Sequence, residues 1–267
     1  MEEIRRKAKE LLDSNTVQVV IGYGQGTGQK VRPIFIKEAG QVDRLLYDDR
    51  CTHNLALYLT KHEIKKLGKP AIVAPIATLR AILQLASEYQ FADGDLVVLG
   101  IGADGKVQQM SSFPDMEQFA GQQKHDIPAA DREIIEKLDK MSLQERWKFW
   151  QDQLSTCFKC YACRSACPMC YCSRCTVECN QPQWIPVAAH ELGNLEWHIM
   201  RAMHLVGRCV SCGECGRACP LGLPIHLLTM KMSQEVLRQF GTQAGMAAKA
   251  DFALSTFKPD DKESFIR

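Results

Sequence analysis

The sequence predicts a mixed α+β / α/β chain, a small N-terminal α/β domain followed by a second domain organised by cysteine. Three observations predict it. Over about the first 110 residues, apolar stretches at strand spacing alternate with apolar stretches at helix spacing, the pattern of a sheet layered with helices. Twelve of the thirteen cysteines lie between positions 157 and 219, so they are a local device and not a framework for the whole chain. Within that segment one cysteine spacing occurs twice.

The N-terminal elements follow from local pattern. Residues 4–12 read as a helix with Ile4, Ala8, Leu11 and Leu12 on one face. Val17–Ile21 is β-branched and apolar and reads as a strand, as does Val31–Ile36. Between them Gly22, Gly24, Gly26 and Gly28 alternate. A phosphate-cradling loop needs a helix after its glycines and a Ser or Thr after its lysine, but here Lys30 is followed by Val31 and a strand. The run is therefore read as a flexible strand–strand connection. Gln41–Tyr47 and Asn54–Lys66 read as helices, the second ended by Gly68. Ala71–Ala74 reads as a buried strand. A helix capped by Thr78 follows, with Leu79, Ile82, Leu83 and Leu85 as its apolar face. Asp93–Gly94 makes a turn into the strand Leu96–Ile101. Residues 111–130 contain Pro114, Gly121 and Pro128 and read as a connector, and 131–154 read as helical. Trp147, Phe149, Trp150 and Leu154 are expected beside the first cysteine loop.

The cysteine segment carries the chemistry. Cys157, Cys160, Cys163 and Cys167–Pro168 read C-x2-C-x2-C-x3-C-P, and Cys209, Cys212, Cys215 and Cys219–Pro220 repeat it. This spacing holds two [4Fe-4S] clusters in bacterial-type ferredoxins. Three thiolates on a tight loop reach three corners of one cube, and the fourth, a helical step on, caps the other. Cys157, Cys160, Cys163 and Cys219 are thus assigned to one cluster, and Cys209, Cys212, Cys215 and Cys167 to the second. Structural zinc also uses C-x2-C pairs, but gives no reason for the full run to occur twice.

Between the runs lies a cysteine-rich helical insert, residues 169–206. Its Cys170, Cys172, Cys175 and Cys179 suffice for a third iron–sulfur cluster or for one zinc ion. Leu195–Leu205 reads as a helix capped by Asn194. Its His198 and His204 are read as satisfied histidines rather than ligands. Arg201, Arg208 and Arg217 lie near the cysteine loops, where positive charge favours a reduced cluster and raises its potential. Leu223–Leu237 reads as a further helix. The organisation expected is an α/β domain over 1–125, a helical connector over 126–154, a bacterial-type dicluster ferredoxin domain over 155–240, and a C-terminal tail over 241–267.

Composition bounds the rest. The chain has 267 residues, with 46% hydrophobic and 24% charged residues, ordinary for a globular protein. A net charge of +2 gives no footprint for nucleic acid. No run approaches the length of a transmembrane segment, and the charged N-terminus lacks an apolar signal core. A cytoplasmic location, where thiols stay reduced, and an anaerobic setting are expected.

These residues resemble a known family. CFKCYACRSACPMCYCSRC, RAMHLVGRCVSCGECGRACPLGLP and the ending STFKPDD are similar to the ferredoxin part of coenzyme F420 hydrogenase/formate dehydrogenase beta-subunit-like iron–sulfur proteins. CTHNLALYL, KPAIVAPIATLRAI and LVVLGIGADG are similar to their N-terminal part. The resemblance implies an electron-transfer subunit working beside hydrogenase, formate dehydrogenase or heterodisulfide-reductase-type partners. Family members carry cysteines where this chain has Ala77 and Ala103, which leaves Cys51 alone, read as a buried thiol. The resemblance supplies no matched flavin contacts, so flavin is not expected.

The function expected is one-electron relay through [4Fe-4S] clusters between redox protein subunits of a larger anaerobic oxidoreductase complex. No nucleophile, acid–base pair or open metal site marks the chain as catalytic alone. The alternative is a flavin-containing beta subunit that itself oxidises or reduces NAD(P)H or F420. A third reading makes the α/β domain a docking scaffold.

Overall fold

The computed structural model describes residues 1–124, 127–175, 177 and 182–249. Cys179 and the STFKPDD ending, both singled out above, lie outside the described residues. The N-terminal half is a mixed six-stranded sheet flanked by helices. Helix α1 (Glu2–Asp13) buries Ile4, Ala8 and Leu11. Strands β1 (Val19–Gln25) and β2 (Val31–Ile36) form an antiparallel hairpin, and β3 (Leu45–Leu46) also pairs with β1. Next come β4 (Pro70–Pro75), α3 (Ile76–Ser87), β5 (Val97–Ile101), β6 (Val107–Met110) and α4 (Phe113–Gln122). The short helix His62–Lys65 before β4 is α2. The strand order is β2-β1-β4-β5-β6, with β1, β4 and β5 parallel and both edges antiparallel. Every residue of β5 is buried, as in a strand covered on both faces.

Several local readings are corrected. The glycine run is not a flexible connection. Gly22 and Gly24 lie inside β1, which continues to Gln25, and only Gly26 and Gly28 fall in the turn. A methyl group on Gly22 would run into Leu45 Cδ2, and one on Gly24 would come within 2.7 Å of Ile34 Cγ2. These glycines are close-packing positions for neighbouring strands. Thr78 does not cap α3. Pro75 occupies the N-cap and Thr78 is buried inside the helix. Residues expected as one helix over 54–66 divide into a 3-10 turn, Leu55–Thr60, and α2. The expected helix 41–47 is a 3-10 turn, Ala39–Arg44, leading into β3. The expected connector 111–130 contains a helix, α4, close behind β6. Ser112 caps α4 and Pro114 sits in its first turn, where a proline helps a helix start.

The second half is helical. α5 (Ala129–Lys140) and α6 (Leu143–Ser155) are separated by a capping box in which Ser142 and Glu145 bond each other's backbone N–H. α7 (Ala162–Ser165), α8 (Glu191–His204), α9 (Glu214–Arg217) and α10 (Ile225–Phe240) follow. His190, not Asn194, caps α8. Of the α6 residues expected beside the first cysteine loop, Leu154 joins the core around Cys163. Trp150 packs on Ile135, Leu227 and Met230, and Trp147 is exposed. Among the described residues no helix is long and apolar enough to cross a membrane.

Two cores meet in the cysteine segment. Met169, Leu205 and Val210 join the sheet core, with Cys167, Cys170, Cys209 and Cys212 against it. Leu154, Ile185, Leu195, Trp197, Leu223 and Ile225 form a second core around Cys163 and Cys215, with Cys157 and Cys219 at its edge.

The Gly22 packing is testable. Gly22→Ala overpacks β1 against Leu45 and is expected to lower stability by about 1–3 kcal/mol. Gly40→Ala, at a site with open space around it, leaves the urea midpoint close to that of the parent chain.

Candidate metal centre

The two cysteine runs fold as copies of each other. The second and fourth residues after the first cysteine are left-handed in both loops: Lys159 (φ 53°) and Tyr161 (φ 60°), then Ser211 (φ 57°) and Gly213 (φ 75°). Three of these four are not glycine, and each left-handed residue of that kind carries roughly 1–3 kcal/mol of strain. The reason is visible at the sulfur. Lys159 N–H donates to Cys157 Sγ and Ser211 N–H to Cys209 Sγ, both at 3.4 Å. Each loop then enters a four-residue helix, α7 or α9, and these two helices pack together. Each ends in a turn that bonds the fourth cysteine's N–H, Cys167 to Arg164 O and Cys219 to Gly216 O.

The thiols fall into two neighbourhoods. Cys157 interacts with Cys160 and Cys219, and Cys163 with Cys157. Cys212 interacts with Cys209 and Cys215, and Cys167 with Cys212. Each neighbourhood thus contains three cysteines of one run and the fourth of the other. Cys163 and Cys215 link them. Among the described residues no three His, Cys, Asp or Glu side chains converge tightly enough to hold a single metal ion. The donor set is all thiol, which suits soft metals and iron–sulfur clusters.

Burial opposes ionisation here. It pushes the Cys163 and Cys212 thiols up to about 12. A metal binds the thiolate, so the site needs positive charge. Arg201 of α8 supplies it between the two neighbourhoods. It is 6% exposed, and its Nη2 donates to Cys163 O at 3.0 Å. Burial alone would lower its pKa, but Cys167, Cys215, Cys170 and Cys163 outweigh that and hold it above its usual value. Its Nε–H is buried without a hydrogen-bond partner among the described residues.

The rest of α8 holds the first loop. Asn194 donates from Nδ2 to Leu154 O, Ser155 O and Cys157 O, the last at 2.6 Å. His198 is buried with Nε2 3.4 Å from Cys157 Sγ and its ring edge-on to Trp197. Burial, then Arg201 and Lys159, pull it down to about 4, so the ring is neutral at pH 7. That agrees with its reading as a satisfied histidine.

In the insert, Cys170 and Cys167 share a hydrogen bond, which lowers Cys170 and raises Cys167. Cys170, Cys172 and Cys175 line one cavity together with Arg201 and Arg208. Cys51 lies apart under the sheet, buried, with its thiol pushed up by burial.

Sequence reasoning missed two ion-pair networks that fasten this segment to the sheet layer. Arg208 donates from Nε to Glu88 Oε1 at 2.7 Å and from Nη2 to Glu88 Oε2. Tyr171, between Cys170 and Cys172, donates its hydroxyl to the same carboxylate at 2.8 Å. Glu214, buried inside the second loop, accepts from Arg217 Nε at 2.8 Å and lies 3.2 Å from His53 Nδ1. His53 is fixed in turn through its carbonyl, which accepts from Tyr23 at 2.6 Å. No local signal marks the bonds of Arg208 and Tyr171 to Glu88 or of His53 to Glu214, whose partners are far apart in sequence.

No family model matches the chain. It is 28% identical over 117 residues to the F420-dependent formate dehydrogenase subunit beta of Methanocaldococcus jannaschii, a match covering 42% of this chain and 30% of that protein. The chain therefore spans under a third of that relative's length. The similarity supports the family resemblance drawn from the cysteine segment.

The His53–Glu214 pair predicts a pH dependence. The hydrogen bond to Glu214 raises the His53 pKa above its usual value. The stabilisation it brings is full below pH about 6.5 and is lost as pH rises through the raised value. The melting temperature is therefore expected to fall across that window in the parent chain, and the slope to flatten in His53→Gln.

Proposed function

We propose that the chain is an iron–sulfur electron-transfer subunit of a multi-subunit oxidoreductase, relaying electrons through two [4Fe-4S] clusters held in a dicluster ferredoxin arrangement over 155–240. The observation that carries this reading is the pair of matching cysteine loops, each with the same left-handed residues and the same N–H to sulfur bond. Cys157, Cys160, Cys163 and Cys219 would hold one cluster, and Cys209, Cys212, Cys215 and Cys167 the other. The clusters supply reversible one-electron chemistry at a potential set by net charge, hydrogen bonds to sulfur and burial.

The chain's own residues do the rest. Backbone N–H groups of Lys159 and Ser211 donate to sulfur and stabilise added negative charge. Arg201 offsets the charge of both thiol neighbourhoods from a buried position. Cys163 and Cys215 share one apolar core between the two neighbourhoods. The sheet layer that ends with α4 forms the base against which the second neighbourhood is buried.

The named relative is a subunit of a formate dehydrogenase dependent on F420. An analogous oxidoreductase complex, with redox protein subunits as partners, is the setting proposed for this chain. A third centre at the insert is the second reading, favoured by the cavity that Cys170, Cys172 and Cys175 share. Cys179 would supply its fourth thiolate.

Cysteine variants purified anaerobically test the assignment. Cys219→Ser and Cys160→Ser are expected to lose the same cluster, about 4 Fe per chain, and to leave the same residual electron paramagnetic resonance signal. Cys167→Ser should match Cys212→Ser instead. If Cys219→Ser matched Cys212→Ser, each run would be closing its own site and the crossed arrangement would be wrong. Cys172→Ser loses about 4 Fe if the insert holds a third cluster and none if its thiols are structural.

A further inference from the structure

Arg80 is the buried charge that the cysteine segment does not itself contain. It lies on α3, in the sheet layer, and is 3% exposed. Buried arginines are normally paired with a carboxylate, because a lone charge loses its hydration. Among the described residues no carboxylate pairs with Arg80. Its Nε and Nη2 both donate to one backbone carbonyl, Ala244 O, at 3.2 and 2.6 Å.

The surroundings hold it there. Gly245 N–H donates to Gln84 Oε1 at 3.0 Å, one turn along α3 from Arg80. Gly245 is left-handed (φ 74°), and a side chain on it would strike Arg80 O. The segment at 244–245 therefore closes directly over the arginine. Arg80 and Ala244 line a cavity of about 290 Å³ whose wall also includes Cys209, Ser211 and Ser233. Ser233 Oγ donates to Cys209 O at 3.1 Å and fixes that wall.

Burial lowers the Arg80 pKa to about 10, and the groups acting against that are Cys209 and Cys212. The guanidinium thus stays charged at neutral pH. Cys209 and Cys212 both belong to the second thiol neighbourhood. No thiol of the first acts on Arg80 with comparable strength, whereas Arg201 acts on members of both.

We infer that Arg80 is the counter-ion of the second cluster alone, so that the sheet layer sets the potential of that cluster independently of the first. This rests on the electron-relay reading above. Burial against the sheet core disfavours the extra negative charge of a reduced cluster, and Arg80 offsets that burial from the same side. The fold thereby separates two controls. Arg201 moves both potentials together, and Arg80 moves one.

The experiment is a redox titration, followed by electron paramagnetic resonance, of the anaerobically purified full chain and two variants. Arg80→Gln removes the charge but keeps an amide donor for Ala244 O. Arg80→Lys keeps the charge and loses the fork. Parent chain that holds no iron–sulfur would overturn the relay reading before any variant is made.

With clusters loaded, Arg80→Gln is expected to change the reduced-to-oxidised ratio of one couple at least about tenfold toward oxidised, ~59 mV for one electron. The other couple stays in place, and Arg80→Lys titrates close to the parent. Loss of about half the iron in Arg80→Gln with Arg80→Lys fully loaded equally supports the inference, since charge is then what retains that cluster. Two unmoved couples in loaded Arg80→Gln, two that move together, or equal iron loss in both variants would overturn it.

Discussion

Burial opposes thiol ionisation and nearby positive charge favours it, and the cysteine segment is arranged around a buried cation. Arg201 touches both thiol neighbourhoods from a single position on α8. Arg201 works against the burial of Cys163, yet that thiol still stands at about 12, so its ionisation needs a bound metal as well. The same helix supplies Asn194 and His198 to the first loop. Its placement, charge and hydrogen bonds therefore act on the first loop as one rigid element.

The two loops are locally alike but unlike in surroundings. Cys157, Cys163 and Cys219 sit on the small core around Trp197 and Leu223, whereas Cys209 and Cys212 sit on the sheet core. Cys215 belongs to the small core and yet neighbours Cys209 and Cys212, which places it at the join. The N-terminal layer is thus more than a neighbouring domain. It supplies the apolar floor, the Glu88 clamp on Arg208 and Tyr171, and Arg80. Were each loop to hold a cluster, these unlike electrostatic settings would give two distinct potentials from matching ligand sets.

What was legible in the sequence follows the range of the interaction. The cysteine loops are legible because their geometry is set within about ten residues by spacing, turn and short helix. The strands at 71–74 and 96–101 are legible because two-sided burial leaves continuous apolar runs. Gly22 and Gly24 misled because a glycine that makes room for Leu45 or Ile34 looks the same in sequence as one that makes a turn. Asn194 misled in the same way. Its side chain is spent on carbonyls of 154–157, so the cap of α8 falls to His190. Pro114 was read as a break although it lies in the first turn of α4. Arg80 and Glu88 carry no local mark, since their partners lie more than a hundred positions away.

The most direct measurement is the iron, acid-labile sulfide, zinc and flavin content of the full chain purified without oxygen. The account predicts about 8 Fe and 8 sulfide per chain, or about 12 of each with a third cluster at the insert. Fewer than about 4 Fe, with zinc in its place, would contradict it, because the paired loops would then hold single ions and carry no electrons.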